Sequence, residues 1–335
     1  MPRVLILYNE PVLPAGHPDA ESEREVLGTA GFVERTLTQA GFEVGRLGAS
    51  HDPAFLLTKL AQHRPEVVFN LFEGTADDGL TEAYVAGLLE WLRVPFTGCP
   101  SQTLFLARSK HWTKYLLRGA AIPTPDFFVV EAMPPPPCPL RWPVIIKPAS
   151  EDASVGLDQG SVVTEQKLLE DRVALLLERY GPPVLVEEFI AGRELNVALV
   201  ETPQLRPLPI SEILFLEKDP AYWPIVTYDA KWKPESRDYQ ATPPHCPAEL
   251  PAGLVTHVEE LSERAFRLLS CRDYARVDVR LDSAGEPYVL EVNPNPDFHP
   301  TAGFGGALAA AGSSHEQFTA ELVRNALARR PQAVY

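Results

Sequence analysis

Two alternating stretches near the end of the chain constrain its fold more than any other feature. Residues 275–280 (ARVDVR) and residues 288–293 (YVLEVN) alternate apolar and polar side chains, which is the pattern of a half-buried β-strand. The residues between them, LDSAGEP, have the composition of a turn. The two stretches are therefore predicted to pair as an antiparallel hairpin.

The register of this hairpin follows from the position of its turn. A loop centred on residues 284–285 puts Asp278 opposite Glu291. It also puts Arg276 opposite Asn293, and the two-residue period places all four side chains on one face. Facing acids repel each other, so a positive group is expected between them. Two carboxylates and an amide oxygen suit Mg²⁺ (or Mn²⁺) shared with phosphates better than a metal held by protein ligands alone. From this stretch alone, a surface hairpin with solvated charges is an equal alternative.

Composition and charge narrow the classes of partner. The chain has 335 residues, of which 45% are hydrophobic and 22% charged, which is ordinary for a folded protein with room for two or three domains. Its formal net charge of −15 disfavours nucleic acid and anionic membranes as partners, because both select clustered Lys and Arg. No apolar run is long enough to span a bilayer. The expected partners are small molecules, and a homodimer is one option for the assembly.

The cysteines and the start of the chain indicate a compartment. The four cysteines are scattered without a C-x-x-C spacing, so neither a zinc site nor a disulfide framework is predicted. The first apolar run, residues 4–8, begins too soon after Met1 for a signal peptide and is predicted to be a strand. A reducing, cytoplasmic location is therefore expected.

The first third of the chain alternates strands with helices. Strands are predicted at residues 4–8, 42–47 and 65–71, and helices at residues 30–40 and 82–92. This alternation is typical of a parallel, doubly wound sheet, which binds ligands beyond the carboxyl ends of its strands. Two polar loops are expected at that edge: one follows the first strand and ends in residues 21–26, and the other is residues 73–79. Solvated loop acids are the plain alternative for both.

The middle of the chain carries two lysines and a flexible loop. Lys110 lies on a helix predicted over residues 101–118, and Lys147 ends a short apolar strand that Pro148 stops. The small residues of 150–156 form a loop whose N–H groups can wrap a phosphate. Each of these signals is weak when taken alone.

A strand, a break and a second strand follow. Residues 184–190 are apolar and end at Ala191 and Gly192, and Glu194 begins the next strand. Backbone groups at such a hinge can pair with the edge of an adenine, and a carboxylate can accept hydrogen bonds from ribose hydroxyls. The order of these elements along the chain is more specific than any one of them.

Taken together, these elements resemble the ATP-grasp ligases, in particular the D-alanine–D-alanine ligases, over nearly the whole chain. The matching positions are Lys110, Lys147-Pro148, Ser154-Val155-Gly156, residues 187–190, Glu194, Arg276-x-Asp278 and Glu291-x-Asn293. The resemblance implies an α/β ATP-grasp fold, in which an N-terminal Rossmann-like parallel-sheet domain precedes two α+β lobes that clasp ATP. The implied boundaries are residues 1–101 for the first domain, 102–200 for the central lobe, and 201–335 for the C-terminal lobe with the metal and substrate site.

The resemblance also implies which residues contact the nucleotide and the metal. Those that would contact ATP are Lys110 and Lys147 at the phosphates, Glu187, Glu188 and Ile190 at the adenine, and Glu194 at the ribose. Those that would bind Mg²⁺ are Asp278, Glu291 and Asn293.

The catalytic residues that the resemblance implies are Glu23, Ser154, Lys231 and Arg276. Residues 22–26 look like the family's first-loop stretch, whose leading Glu, here Glu23, holds the amino group of the first substrate. Residues 225–232 look like the mobile loop that closes over the site and carries a Lys, here Lys231; an exposed loop Lys is the alternative. Arg276 could stabilise a tetrahedral oxyanion.

The implied activity is that of an ATP-dependent carboxylate–amine ligase with amino-acid-like substrates. ATP would convert a carboxylate into an acyl phosphate, and an amine would then displace the phosphate. Closure of the mobile loop would keep water away from the acyl phosphate. Three alternatives stay open: a true D-alanine–D-alanine ligase of wall synthesis, an ATP-grasp enzyme that modifies or ligates a peptide, and a nucleotide-binding protein without turnover.

Four positions depart from the family pattern. Trp232 stands in place of the lid Tyr, Ala153 in place of the loop Ser, and Glu73 in place of a His. Asp297 replaces a Gly beside the pocket of the acceptor, where its carboxylate would repel an acceptor carboxylate and select a cationic group. In the alternative, Asp297 turns away and caps the turn at residues 298–299. These departures favour a ligase whose acceptor is not D-alanine.

Overall fold

The computed structural model begins with a small parallel sheet. It describes residues 1–13, 20–75 and 78–329, without the side chains of residues 20–23 and 25. The first elements are β1 (Arg3–Asn9), α1 (Ala20–Gln39), β2 (Glu43–Ala49), α2 (Pro53–His63), β3 (Val67–Leu71) and α3 (Thr81–Trp91). The strand order is β2-β1-β3, and every pairing is parallel, as the alternation of strands and helices predicts.

Helix α1 begins at Ala20 rather than at residue 30, so the prediction of a loop over residues 21–26 is wrong. Buried apolar residues recur along it at helical spacing, at Val26, Ala30, Val33 and Leu37. Gly28 and Gly31 lie between them and lower the helix propensity, which hides the first turns in the sequence.

Two short helices, α4 (Ser101–Arg108) and α5 (Lys110–Gly119), replace the single helix predicted over residues 101–118. The backbone N–H of Lys110 donates to the carbonyl of Ala149 over 2.9 Å. A continuous helix would need that donor for the carbonyl of Leu106, which instead accepts from the Thr113 hydroxyl. The break ties α5 to the strand that carries Lys147.

An antiparallel sheet with one helix follows. It contains β4 (Phe127–Val130), β5 (Val144–Pro148), β6 (Val162–Val163) and β7 (Val184–Glu188), in the order β4-β7-β5-β6, with α6 (Gln166–Tyr180) packed on it. The core between them contains Val144, Ile146, Val184 and Val186 from the sheet and Val173 from α6. Because side chains alternate along a strand, Lys147 and Glu187 lie on the opposite face.

The third sheet is also antiparallel and carries the hairpin. Its elements and their neighbours are β8 (Glu194–Glu201), β9 (Leu205–Pro207), β10 (Ser211–Ile213), α7 (Tyr228–Trp232), α8 (Arg237–Ala241), β11 (Pro244–His245), α9 (Ala252–Leu268), β12 (Tyr274–Leu281), β13 (Pro287–Pro294), α10 (Gly303–Ala310) and α11 (His315–Ala328). The order is β11-β10-β8-β12-β13, with β9 beside β8. Most of β8 precedes residue 200, yet it pairs with strands that follow that boundary. No helix among the described residues is long and apolar enough to cross a membrane.

The hairpin of β12 and β13 has the predicted register at its functional end. Asp278 pairs with Glu291, and Arg276 pairs with Asn293. A β-bulge lies after the Asp278 pair, because Val279 pairs with Val289 and leaves Leu290 as the extra residue. The apolar residues of β12 pack towards α9, while the alternating polar residues face the opposite side.

Candidate active site

A cavity of about 1370 Å³ opens where the three sheets approach one another. Apart from Glu23, whose side chain lies outside the described residues, every residue predicted to form the site lines this cavity. These are Lys110, Lys147, Ser154, Glu187, Glu188, Ile190, Glu194, Lys231, Arg276, Asp278, Glu291, Asn293 and Asp297. The fold therefore brings together residues as far apart in the chain as Lys110 and Asp297, which are separated by 187 positions.

Asp278 is buried on the hairpin face and accepts four hydrogen bonds. The Arg276 guanidinium donates to both of its oxygens, from Nε over 2.6 Å and from Nη2 over 2.7 Å. The amides of Asn196 and Asn293 donate one bond each, over 2.9 and 3.0 Å. Arg276 is thus the positive group that the facing acids require.

Glu291 is surrounded by positive charge. Its Oε2 lies 3.7 Å from Lys110 Nζ, and its Oε1 lies 3.4 Å from the Asn293 amide. Burial on its own would raise the pKa of this carboxyl, but the charges of Lys110, Lys147, Lys231 and Arg276 outweigh burial and lower the pKa to about 2. Glu291 is therefore ionised at any physiological pH.

The hairpin acids fit a divalent cation after one side-chain rotation. No group of three or more His, Cys, Asp or Glu in the described ranges could hold a metal. The candidate is the set of Asp278, Glu291 and Asn293. Each carboxylate oxygen has two lone pairs, and those of Asp278 are all engaged. Turning the Asn293 amide by half a turn would free one lone pair of Asp278 and present the amide oxygen, which is a suitable Mg²⁺ ligand.

Two lysines share one buried acid in the cleft. Lys114 Nζ lies 2.6 Å from Glu187 Oε1, and Lys147 Nζ lies 2.7 Å from Glu187 Oε2. Burial lowers the pKa of Lys147 to about 8, with the Lys110 charge acting in the same direction and Glu291 opposing it. Burial likewise lowers the pKa of Lys114, well below its usual value. The sequence signal for Lys114 was its place four residues after Lys110, one turn along the helix.

The hinge residues predicted to contact the nucleotide already have protein partners. The Glu188 carboxylate bonds to the exposed Arg141, and the Ile190 carbonyl accepts from Arg280 over 2.8 Å. Glu194 pairs with Arg280 through Oε2 alone, which leaves Oε1 for another donor.

Arg280 was missed in the sequence although it carries much of the hinge. It binds Glu194, the Ile190 carbonyl and the Pro224 carbonyl. Its guanidinium also stacks over Phe189, with 5.0 Å to the ring centroid. The available signal was its spacing, since Arg280 continues the alternation of Arg276 and Asp278 on the same face.

The predicted mobile loop contains the short helix α7. Lys231 reaches into the cavity while much of the residue stays exposed, and its pKa is lowered first by partial loss of hydration and then by the Arg276 charge. The loop contacts both the predicted phosphate loop and the residue that follows it. Tyr228 N donates to the carbonyl of Leu157 over 3.0 Å, and Trp232 Nε1 donates to the carbonyl of Ala153 over 3.1 Å.

Asp297 lies where the cavity meets the first sheet. Its Oδ1 accepts from the backbone N–H of His299 over 2.9 Å and from the Thr29 hydroxyl over 3.2 Å. The residue therefore caps the turn, as one alternative holds, and also lines the cavity, as the other requires.

Known proteins similar to this chain agree with this architecture. Residues 135–324 match the family model described as the D-ala D-ala ligase C-terminus. The D-alanine–D-alanine ligase of Desulforudis audaxviator is 32% identical over 92% of this chain and 96% of its own. An uncharacterized protein of Sinorhizobium fredii, y4sG, is 35% identical over 78% of this chain and 76% of its own.

A solved structure shares the fold. The D-alanine–D-alanine ligase of Bacillus anthracis complexed with ATP superposes with a TM-score of 0.77 and covers 98% of this chain and 99% of its own. At 21% sequence identity, this likeness confirms the predicted ATP-grasp fold, and the function rests on the other comparisons.

Proposed function

This chain belongs to the D-alanine–D-alanine ligase family, whose members are ATP-dependent carboxylate–amine ligases of the ATP-grasp superfamily, and from that premise we propose that it joins two amino-acid-like substrates through an acyl phosphate. The observation that carries the proposal is the convergence of Lys110 and Lys147 with Glu291 on one cavity. Two ammonium groups beside the ionised Glu291 and the Arg276-bound Asp278 suit a nucleoside triphosphate and its metal.

The reaction proceeds in two displacements. A carboxylate oxygen of the first substrate attacks the γ-phosphorus of ATP, and the bond from that phosphorus to ADP breaks. The amine nitrogen of the second substrate then attacks the acyl carbon, the bond from carbon to phosphate breaks, and the nitrogen loses a proton. Lys110 and Lys147 neutralise the phosphates during the first displacement.

Several of this chain's residues would serve the second displacement. Arg276 uses two of its five N–H groups on Asp278, so the others are available to the oxyanion that develops on the acyl carbon. Lys231 approaches from the mobile loop, and closure of that loop would exclude water. Glu23 would hold the amino group of the first substrate. Ser154 would donate a hydrogen bond to the carboxylate of that substrate or to the transferred phosphate.

Asp278, Glu291 and Asn293 would hold Mg²⁺. The cation would supply charge neutralisation to the phosphates. Glu194 Oε1 would accept from the ribose, and the backbone at Glu188 and Ile190 would face the adenine. Both oxygens of Glu187 pair with lysines, so its expected contact with adenine competes with those pairs.

We assign Asp297 to acceptor selection. Its carboxylate lines the cavity, and one of its oxygens is committed to the turn. At about 4 Å, repulsion of an acceptor carboxylate is on the order of 1 kcal/mol in water and larger in a closed site. Asp297→Asn keeps an oxygen for the turn and removes the charge, whereas Asp297→Gly removes both. Both variants should use cationic amines less well and simple amino acids better; an acceptor profile unchanged in Asp297→Asn would contradict the assignment.

The ligase proposal is tested by ADP release with panels of single amino acids, amino acid pairs and peptides. Stimulation by one pair, with formation of a new amide, supports the proposal. Stimulation by peptides alone favours the peptide-modifying alternative, and ATP binding without turnover on any panel favours the binding protein. D-Alanine as the best partner in both positions would make it a wall-building ligase.

We also propose a compartment and an assembly for this protein. All four cysteines are free, which supports a cytoplasmic location. A homodimer stays a proposal, which light scattering at several concentrations tests directly.

A further inference from the structure

One acid of the phosphate loop is held between two cations of the cleft. Asp152 Oδ1 lies 3.1 Å from Lys110 Nζ, and Asp152 Oδ2 lies 3.0 Å from Arg108 Nη1. Lys110 also donates to the carbonyl of Glu151 and lies near Glu291. The carboxylate thus presents two oxygens to a pair of converging positive groups, which is how a phosphate is bound.

The two cations are more firmly built into the fold than the acid between them. The side chains of Lys110 and Arg108 are 10% and 17% exposed, whereas that of Asp152 is 43% exposed. The Arg108 guanidinium packs against Gly79, where an added Cβ would lie 1.8 Å from Nη2. Its Nη1, which contacts Asp152, also lies 3.8 Å from Glu82 Oε2. Of the three groups, Asp152 is therefore the most exposed and the two cations are the more deeply held.

Charge in this region depends on whether Asp152 is present. Burial, and next the charge of Asp152, raise the pKa of Glu82 well above its usual value. Lys110 Nζ lies between the carboxylates of Asp152 and Glu291, at 3.1 and 3.7 Å. Arg108 lies closer to Asp152, at 3.0 Å, than to Glu82, at 3.8 Å, so Asp152 is the nearer counter-charge of both cations.

We propose that Asp152 occupies, in the nucleotide-free protein, the position of a phosphate group of ATP between Lys110 and Arg108, and that Arg108 is an additional phosphate-binding residue. The inference rests on the proposed function, because it takes the cavity to be the ATP site. ATP binding exchanges one anion for another: the phosphate enters, and the Asp152 carboxylate leaves towards solvent. Because ATP must displace the Asp152 carboxylate, this exchange lowers the affinity for ATP. It also means that nucleotide binding detaches Asp152, and with it the phosphate loop, from Lys110 and Arg108.

The test compares the binding of ATP with that of adenosine, which lacks phosphates, by calorimetric titration. Asp152→Asn keeps the size of the side chain and removes its charge. ATP should therefore bind this variant about threefold to tenfold more tightly than it binds the wild type. Arg108→Gln should weaken ATP binding by about tenfold or more, and Arg108→Lys should recover part of the loss. Adenosine affinity should be equal in all of these proteins, which also shows that each variant is folded.

A matched control is Asp171→Asn, which breaks an exposed ion pair with Lys167 on α6 and should change neither affinity. ATP affinity that is unchanged or weaker in Asp152→Asn would overturn the internal-anion proposal, and unchanged ATP affinity in Arg108→Gln would overturn the role of Arg108. Failure of the wild type to bind ATP at all would instead overturn the proposed function, so the two failures are distinguishable.

Discussion

The indole Nε1 of Trp232 donates a hydrogen bond of 3.1 Å to the backbone carbonyl of Ala153. These are two of the positions at which the sequence departs from the family that it resembles, where a Tyr and a Ser stand. Trp cannot accept a hydrogen bond and Ala has no polar group in its side chain. The indole N–H and the backbone carbonyl are nevertheless enough to form one hydrogen bond between the two loops. The mobile loop and the phosphate loop therefore remain connected, with the contact moved from side chain to backbone.

Removing this donor should loosen the closed site. Trp232→Phe keeps most of the ring and loses one hydrogen bond, worth about 0.5–1.5 kcal/mol. Water should then reach the acyl phosphate more often, so the ratio of ADP released to amide formed should rise severalfold. The matched control is Trp91→Phe, since Trp91 is 84% exposed on α3. An unchanged ratio in Trp232→Phe would show that the bond does not close the site.

Neutralising Glu291 should abolish turnover. Glu291→Gln removes the charge that faces Lys110, Lys147 and Lys231 and replaces a carboxylate ligand of the proposed metal by an amide. We expect turnover to fall by about a thousandfold or more at ordinary Mg²⁺. Glu286→Gln, in the exposed turn of the same hairpin, should be neutral. Near wild-type activity in Glu291→Gln would remove the metal assignment.

ATP affinity should fall as the pH rises through about 8. The pKa of Lys147 is lowered to about 8, so its ammonium is present below that pH and is lost above it. Once Lys147 is neutral, the phosphates lose one of their cations and the Kd for ATP should increase by up to about tenfold per pH unit. Lys147→Arg stays charged throughout and should flatten the profile between pH 7 and 9. A wild-type Kd that is constant over this interval would contradict the role of Lys147.

The buried acid between two lysines should matter more to stability than either lysine. Glu187→Gln leaves Lys114 and Lys147 facing each other without a counter-charge and should lower the free energy of unfolding by about 3–5 kcal/mol. Lys114→Met leaves a neutral pair of Glu187 and Lys147 and should cost less. Glu188→Gln, which breaks a pair with the exposed Arg141, should leave stability nearly unchanged. Urea unfolding measures all three, and the reverse order of the first two would contradict this reading of the trio.

The hairpin could be predicted because its information is local. Alternation along β12 and β13 sets both the strand pairing and the face, so Asp278 was placed opposite Glu291 from sequence alone. The predicted centre of the turn was slightly wrong, but the extra residue of the bulge at Leu290 restores the predicted pairing of Asp278 with Glu291. Counting residues along the sequence cannot reveal such a bulge.

Features that depend on distant contacts could not be predicted. The break before Lys110 exists because Ala149, far along the chain, takes the backbone donor of Lys110. Asp152 meets Arg108 across 44 positions, and neither residue belongs to a local pattern. The predicted helix α1 was too short for a different reason. Its two glycines lower the helix propensity, whereas its apolar stripe favours a helix, and packing against the sheet settles the conformation.

The most direct test of an acyl phosphate is to follow an oxygen atom. Once the ADP-release panels have identified the first substrate, its carboxylate is labelled with ¹⁸O and the released phosphate is examined by mass spectrometry. If the carboxylate attacks the γ-phosphorus, one labelled oxygen passes from the substrate into inorganic phosphate for each amide formed. Phosphate without label, or label found in AMP, would contradict the account, because the carboxylate would then not have been activated by γ-phosphoryl transfer.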